Sequence, residues 1–268
     1  VGALETLDVK ALTSVQAGVL TSVQVSAFGT HQVSVLGTSQ VGALSTFAVR
    51  ALSTDQVAAL TSEQVSALST RQVLALTSVQ VLGLETLDVQ VMSTAQVFAL
   101  TSVQASALGT SQVVALTSAQ VGALNTVALR ALTSDQVAAL TSAQVFALTT
   151  GQVVALTTGQ VFALETVDVQ VMSTAQVVAL TSAQVAALGT EQVSALTSAQ
   201  VSALTTGQVV ALTGAQVGAL ETLDVKALTS AQAGVFTSVQ VSAFGTHQVS
   251  VLGTSQVGAL NTVALLSL

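Results

Sequence analysis

The chain has 268 residues and a formal net charge of −7; 51% of its residues are hydrophobic, 6% are charged, 3% are aromatic, and it contains no Cys, Pro, Trp or Tyr. Five basic residues are too few for the phosphate-neutralising surface that nucleic-acid binding requires, which excludes DNA and RNA as partners. The lack of cysteine excludes a disulfide framework and thiolate metal sites.

The mean hydropathy of +0.78 is typical of membrane proteins. A polar pair of the Thr-Ser kind nevertheless recurs every eight residues. No window therefore approaches the roughly 18–20 consecutive apolar residues of a transmembrane helix. The sequence predicts that the chain does not span a membrane.

From Glu5 to Leu268 the chain consists of 33 consecutive eight-residue units without an insertion or deletion. We call each unit an octad and number its positions one to eight; a typical octad is Thr-Ser-Ala-Gln-Val-Ser-Ala-Leu at 197–204. Position two is Ser or Thr in 32 octads, position four is Gln in 26, and positions five and eight are Val and Leu in 28 each. A repeat this short and regular predicts one array, 1–268, built as a solenoid.

Each octad carries the signals that begin a helix. Position one and the Gln at position four form a capping box, and the preceding Leu and the Val at position five form a hydrophobic staple. Six octads place Gly at position one, and this suggests a left-handed residue that closes the preceding helix. These residues are Gly29, Gly37, Gly109, Gly189, Gly245 and Gly253.

The alternative fold is a β-solenoid, because Val and Thr are abundant and an even period preserves strand alternation. The charged residues decide against it. All of them fall at positions one, three, four or six, and positions three and six share one face of a helix but lie on opposite faces of a strand. We therefore predict an all-α superhelical solenoid of two-turn helices, one per octad, with Val and Leu inside.

Seven octads replace the Gln at position four. Four of them read Glu-Thr-x-Asp and begin at Glu5, Glu85, Glu165 and Glu221; the other three place Ala48, Ala128 and Ala264 at position four. The acidic residues suit the first turn of a helix because of its dipole. The alternative is a calcium site at Glu85 with Asp88 or at Glu165 with Asp168, although two carboxylates supply few of the six to eight oxygens that Ca²⁺ takes. We predict no bound metal and no cofactor.

An apolar stripe is predicted on the outer face between residues 98 and 210. Gly151, Gly159 and Gly207 remove the polar group at position three of their octads, and bulky side chains stand at position six. Exposed apolar stripes mark interfaces. The alternative is packing between neighbouring coils. The predicted self-association residues are Phe98, Phe146, Val154, Phe162, Val178 and Val210.

Residues 217–260 repeat residues 1–44 with two changes, Val15 to Ala231 and Leu20 to Phe236. A recent duplication explains this, and so does a window from a longer array, which the incomplete first unit Val-Gly-Ala-Leu favours.

Octads such as Thr-Ser-Ala-Gln-Val-Ala-Ala-Leu at 181–188 and Thr-Thr-Gly-Gln-Val-Val-Ala-Leu at 149–156 resemble the LTxxQVxAL-type arrays of giant exported, adhesin-like bacterial proteins. The resemblance covers the whole chain and implies a structural role outside the cell or on its surface, with no catalytic residues. We expect no enzyme activity and a filament or spacer that assembles with copies of itself. The alternative is a binding module that presents a regular Ser/Thr/Gln face to polysaccharide, ice or another cell.

Overall fold

The structure is a computed structural model, and it describes residues 2 and 4–268. Within these residues every octad contains one short α-helix and none contains a strand, which confirms the all-α solenoid. The helices are four to six residues long, so each is shorter than the two turns predicted. The chain divides into two compact units, Val1–Ala139 and Leu140–Leu268, which we call the first unit and the second unit.

The helices of the first unit are α1 (Thr6–Ala11), α2 (Ser14–Gly18), α3 (Ser22–Ser26), α4 (Thr30–Ser34), α5 (Thr38–Ala43), α6 (Thr46–Arg50), α7 (Thr54–Ala58), α8 (Ser62–Ser66), α9 (Thr70–Ala75), α10 (Ser78–Leu82), α11 (Thr86–Val91), α12 (Thr94–Phe98), α13 (Ser102–Ser106), α14 (Thr110–Ala115), α15 (Ser118–Ala123), α16 (Thr126–Ala131) and α17 (Ser134–Ala138).

The helices of the second unit are α18 (Ser142–Phe146), α19 (Thr150–Ala155), α20 (Thr158–Ala163), α21 (Thr166–Val171), α22 (Thr174–Ala179), α23 (Ser182–Ala186), α24 (Thr190–Ser194), α25 (Ser198–Ala203), α26 (Thr206–Ala211), α27 (Gly214–Gly218), α28 (Thr222–Ala227), α29 (Ser230–Ala233), α30 (Ser238–Val241), α31 (Thr246–Ser250), α32 (Thr254–Ala259) and α33 (Thr262–Leu265).

The predicted capping box forms at the start of most helices; α6, α16, α21, α28 and α33 lack it. In α18 the hydroxyl of Thr141 accepts a hydrogen bond from the backbone N–H of Gln144 (3.3 Å), and Gln144 Oε1 accepts one from the backbone N–H of Thr141 (2.8 Å). The Leu at position eight then ends the helix in an extended conformation, as at Leu156 with φ −57° and ψ 142°. Each octad is therefore a short helix followed by an extended link that redirects the chain.

The left-handed conformation predicted for glycine at position one is wrong. The described residues include no residue with positive φ. Gly29 and Gly189, for example, have φ values of −74° and −69°, and each occupies the N-cap of the helix that follows it. The turn between helices is made by extended residues, which any side chain can adopt, so no glycine is needed to close a helix.

Helices stack on the helix three octads away. In each unit the contacts run α1 to α4, α2 to α5 and α3 to α6 and so on, which produces three rows of stacked helices. In the second unit the rows are α18–α21–α24–α27–α30–α33, α19–α22–α25–α28–α31 and α20–α23–α26–α29–α32. One coil of the solenoid therefore holds between three and four octads.

The core lies inside the coil, where positions five and eight meet. Val97 and Leu100 are buried in the first unit, and Val201 and Leu204 in the second, as predicted, whereas Val257 and Leu265 in the last two octads are exposed. Short helices are unstable alone because nucleation costs more than two turns return. Burial of this Val-Leu layer against the adjacent coil stabilises them. None of the helices in residues 2 and 4–268 combines the length and apolar character needed to cross a bilayer.

Candidate functional site

The glutamine at position four joins successive coils. Gln96 Nε2 donates to the carbonyl oxygens of Val65 (2.9 Å) and Leu68 (2.7 Å), which lie 31 and 28 residues earlier. The same two bonds form at every position-four Gln from Gln40 to Gln136 in the first unit. They form again from Gln176 to Gln256 in the second unit. We call this series of bonds the glutamine ladder.

The ladder gives the glutamine a second role that the capping box alone did not predict. Its Oε1 caps its own helix while its Nε2 satisfies two backbone carbonyls of the previous coil, and Gln96 is only 2% exposed. The signal for this role was present in the sequence. Glu can supply the capping oxygen as well as Gln, but position four holds Gln in 26 octads and Glu in none. The choice of Gln over Glu therefore indicates that these octads use an amide donor at position four.

The burial of the glutamines bears on the alternative function, a binding module that presents a Ser/Thr/Gln face. The position-four glutamines from Gln32 onward are buried and do not contribute to an exposed Ser/Thr/Gln face, whereas Gln16 and the position-six residues Gln90 and Gln170 are exposed.

In the acidic octads the aspartate faces the coil junction. Asp88 is 3% exposed, its Oδ1 accepts a hydrogen bond from the Ser62 hydroxyl (2.9 Å), and its Oδ2 accepts one from the Glu85 backbone N–H (3.1 Å). An ionised carboxylate has no proton to donate, so here the bond between coils runs in the opposite direction, from serine to aspartate. Glu85 itself is exposed. The two carboxylates of the octad therefore point to different environments.

The second unit repeats the bond from serine to aspartate twice. Ser142 donates to Asp168 Oδ1 (2.8 Å) and Ser198 donates to Asp224 Oδ1 (2.7 Å). Asp168 Oδ2 is buried and has no hydrogen-bond partner among the described residues. Burial raises the pKa of Asp88, Asp168 and Asp224, and the serine hydroxyls oppose this shift by stabilising the charged form.

The calcium hypothesis named Glu85 with Asp88 and Glu165 with Asp168. Glu165, like Glu85, is exposed, while Asp168 is buried against Ser142. Across residues 2 and 4–268 there is no group of three or more His, Cys, Asp or Glu side chains arranged to hold a metal ion.

Two of the three alanine octads keep a cross-coil bond by a different route. Asn125, at position one, accepts the Ala128 backbone N–H at Oδ1 (2.8 Å) and donates from Nδ2 to the carbonyl oxygens of Phe98 (2.7 Å) and Leu100 (2.9 Å). Asn261 likewise donates to the Phe236 carbonyl (2.9 Å). In these two octads position four is Ala and has no amide. The Asn at position one therefore both caps the helix and donates the cross-coil hydrogen bond.

The predicted self-association residues all lie on the outside. Phe98, Phe146 and Phe162 are 60%, 60% and 63% exposed, and Val154, Val178 and Val210 are between 41% and 49% exposed. Phe98 lies on α12 of the first unit, and the other five lie in the second unit on α18, α19, α20, α22 and α26. Packing inside the coil is therefore not their role. Their part in self-association stays a prediction.

Within the second unit these side chains fall on different rows. Val154 and Val178 follow one another on α19 and α22, while Phe162 and Val210 lie on the row α20–α23–α26. Phe146 begins the third row, which also carries Glu165 and Glu191. The stripe predicted from the sequence is thus distributed over three rows of stacked helices.

An apolar recess of about 310 Å³ adjoins Phe162 and is lined by Leu164 and by residues 189–192 of α24 and its cap. A Cβ on Gly189 would lie 3.4 Å from Phe162 Cε2, an ordinary van der Waals contact. A larger, polar cleft of about 440 Å³ lies between α21, α24 and α28 and includes Glu191, Glu221 and Asp224.

Comparison with known sequences identifies the repeat. Curated proteins give no significant match to the chain. The family profile of the ALTTAQ repeat matches eight times, at residues 1–38, 33–70, 81–118, 114–150, 139–166, 161–198, 193–222 and 217–254. These matches cover residues 1–70 and 81–254, so the chain belongs to the ALTTAQ repeat family.

Proposed function

We propose that this chain is a structural repeat protein that forms a filament or spacer outside the cell or on its surface, and that it is not an enzyme. The observation that carries the proposal is the glutamine ladder. The same pair of cross-coil bonds, at nearly the same distances, recurs through both units. A ladder of this kind supports any number of coils without a specialised site, since each coil contacts only its neighbours.

The outer surface supports assembly with further copies. Large apolar side chains such as Phe47, Phe98 and Phe162 are more than half exposed, although burying each would be favourable. Charges are sparse enough, at 6% of residues, that like-charged copies can approach one another. The resemblance to exported, adhesin-like arrays favours an extracellular location for this assembly.

The proposal is tested by electron microscopy of the purified protein and by labelling intact cells of the source organism with an antibody against the array. We expect filaments or discrete oligomers in the micrographs and labelling without permeabilisation. Labelling that requires permeabilised cells would overturn the location. The double variant Phe146→Ser with Phe162→Ser tests the assembly, and we expect it to sediment as a smaller species with an unchanged circular dichroism spectrum.

The adhesin-like alternative retains its hydroxyl groups, while its position-four glutamines from Gln32 onward are buried. Exposed Ser and Thr at positions one and two recur along both units, as at Ser53 and Thr54 in the first unit and Thr181 and Ser182 in the second. Binding of the purified protein to an insoluble polysaccharide or to ice crystals, with no self-assembly, would favour it over the filament.

A further inference from the structure

The first unit has an apolar groove where two rows of stacked helices adjoin. The row α6–α9–α12 lies beside the row α10–α13–α16, and ladder bonds join them, as from Gln104 Nε2 to the carbonyl oxygens of Val73 (2.7 Å) and Leu76 (2.8 Å). Five large apolar side chains project outward from the two rows and are between 48% and 65% exposed: Leu74, Val79, Phe98, Val103 and Val127. We call these five side chains the apolar groove.

The other junctions between rows of the first unit lack such a groove. At each junction a position-six side chain on one row is matched by the position-three side chain 29 residues later on the next row. In the apolar groove two successive matches are large and apolar on both sides, Leu74 with Val103 and Phe98 with Val127. Elsewhere in the first unit one member is always small, polar or charged, as in Leu82 with Ser111. The octad pattern alone therefore does not produce the groove.

The charge beside the apolar groove is positive only. Arg50 lines a recess of about 290 Å³ together with Leu74 and Val103, and Arg71 stands on α9 three residues before Leu74. The octads of the six helices in these two rows hold three arginines and no Asp or Glu. Arg50 and Arg71 are exposed, and neither forms an ion pair within residues 2 and 4–268. In a chain with a net charge of −7, this surface suits a partner that is both apolar and acidic.

The second unit carries the opposite charge at the equivalent octad positions. The polar cleft of about 440 Å³ lies 120 residues later in the repeat, and we call it the acidic cleft. Glu191 stands there at the position of Arg71, and Glu221 and Asp224 stand at the positions of Thr101 and Gln104. These three carboxylates line the cleft without any basic side chain.

The acidic cleft also has apolar neighbours. Leu223, at the position that Val103 holds in the first unit, lines the cleft and is 68% exposed. Phe146 projects from the same row of helices as Glu191. The cleft is therefore acidic at its centre and has large apolar side chains at its edges.

The spacing of the apolar groove identifies what covers it. Leu74 and Phe98 are 24 residues apart and lie on successive coils, and the same holds for Val103 and Val127. A partner that contacts all of them must repeat at the distance between coils, as another array of the same octads does. Exposed apolar surfaces of this extent mark interfaces, and the charges determine which surface of a second copy fits.

We infer that the apolar groove in the first unit of one copy binds the acidic cleft in the second unit of the next copy. Arg50 and Arg71 pair with the exposed carboxylates of the cleft, and Leu223 packs among the apolar side chains of the groove. This inference rests on the proposed filament and names the contact that builds it. Because the two surfaces differ, every bound pair still has one free groove and one free cleft, and assembly continues.

The test is complementation between two charge-reversed variants. Arg50→Glu with Arg71→Glu makes both surfaces of a copy negative, and Glu191→Arg with Glu221→Arg makes both positive. All four residues are exposed, so the circular dichroism spectrum should not change. By sedimentation velocity at low salt, where exposed charges are least screened, we expect each variant alone to assemble at least tenfold more weakly than the wild type. An equimolar mixture should assemble again, since each reversed surface then meets one of opposite charge.

A mixture that stays as small as its two components would overturn the inference. So would either reversed variant that assembles alone as strongly as the wild type. Misfolding cannot imitate the expected result, because two damaged proteins do not restore one another.

A matched pair of variants removes the effect of net charge. Arg50→Gln with Arg71→Gln and Ser66→Glu with Gln90→Glu each change the net charge by −2. Ser66 and Gln90 are exposed position-six residues on the row of α8 and α11, outside the groove. We expect the arginine variant to raise the dissociation constant at least fivefold and the control to change it less than twofold. Equal effects would show that general repulsion is responsible and would contradict the inference.

A second matched pair tests the apolar side chains. Leu74 and Leu82 hold the same octad position on consecutive helices and are both about half exposed, but only Leu74 lies in the groove. We expect Leu74→Ser to weaken assembly several-fold and Leu82→Ser to leave it within twofold of the wild type. A larger effect at Leu82 would place the contact at another junction between rows.

The outcomes separate this inference from the proposed function. A wild type that forms filaments insensitive to the arginine, glutamate and Leu74 variants would overturn the contact and leave the proposed filament standing. A wild type that remains monomeric at all concentrations would overturn both.

Discussion

The octads of α11 and α12 follow one another in the chain and join the previous coil in different ways. At α12, Gln96 caps its helix and donates to two carbonyls of the previous coil. At α11, Asp88 caps its helix by accepting the Glu85 backbone N–H (3.1 Å), and across the coil junction it accepts a single bond from Ser62. The comparison separates two requirements that Gln meets with one side chain. The helix cap needs a hydrogen-bond acceptor at position four. The junction between coils needs a hydrogen-bond donor on one of the two coils.

The apolar layer is common to both octads, and its loss should have the largest effect. Leu100→Ala, in the α12 octad, and Met92→Ala, in the α11 octad, each remove a buried side chain at position eight. We expect each to lower the free energy of unfolding by about 2–5 kcal/mol. Urea denaturation measures both. A cost at Met92 far below that at Leu100 would show that the acidic octad depends less on its core.

The glutamine ladder comes next. Gln96→Ala removes a cap and deprives the carbonyl oxygens of Val65 and Leu68 of their amide donor, and we expect a loss of about 2–4 kcal/mol. Gln16→Ala is the control, since Gln16 makes the same cap with Thr13 but no cross-coil bond within the described residues. It should cost only about 1 kcal/mol. Equal losses by thermal melting would mean that the cross-coil bonds contribute nothing.

The serine of the acidic octad should have a smaller effect. Ser62→Ala leaves buried Asp88 with one hydrogen bond fewer, and bonds to charged groups contribute about 1.5–3 kcal/mol. Ser78 precedes Gln104 by the same 26 residues, and no hydrogen bond of its hydroxyl is seen in the described part of the chain. Ser78→Ala should therefore cost less than about 1 kcal/mol. Denaturation at neutral pH tests the pair, and a larger loss at Ser78 would refute the role of the aspartate.

The pH dependence of stability should show the smallest effect. Burial raises the pKa of Asp88, Asp168 and Asp224 in the folded chain, so the folded state holds these protons more tightly than the unfolded state. Their contribution to stability is fully present below the unfolded value of about 3.9 and is lost as pH rises through the folded values. Lowering the pH from 7 toward 4 should therefore raise the melting temperature.

The control for this experiment is the triple variant Asp88→Asn, Asp168→Asn and Asp224→Asn. Exposed Glu63 acts in the opposite direction, because its own backbone N–H and the Thr61 hydroxyl lower its pKa. Comparing the triple variant with the wild type removes that contribution from the result. If both proteins show the same change between pH 7 and pH 4, the buried aspartates are not responsible.

The sequence was sufficient for the fold because its signals are local. The capping box at Thr141 and the burial of Val97 and Leu100 follow from spacing within one octad. Contacts between coils were not predicted, because they join residues 25 to 31 positions apart and depend on the number of octads in a coil. That number is set by the extended link after each helix, and propensities do not determine its angle.

The candidate site, too, was predicted only in part from the sequence. The outward direction of Phe162 followed from its octad position, and the structure confirms its exposure. The recess beside Phe162, which residues 189–192 of α24 also line, could not be predicted, because it forms only when successive coils stack. The role predicted for glycine at position one was wrong because the turn between helices is made by extended residues with negative φ, as at Gly189.

The short reach of the glutamine ladder has a consequence for how the chain acquires its structure. Each amide bonds to carbonyls that are already 28 and 31 residues behind it, about one-tenth of the chain length, so the relative contact order is near that of the fastest-folding helical proteins. When a new coil leaves the ribosome or a secretion channel, the preceding coil to which it bonds is already complete. Folding can therefore advance from the amino-terminal side as fast as the chain emerges. The sequence separation of the contacts stays the same in a longer array.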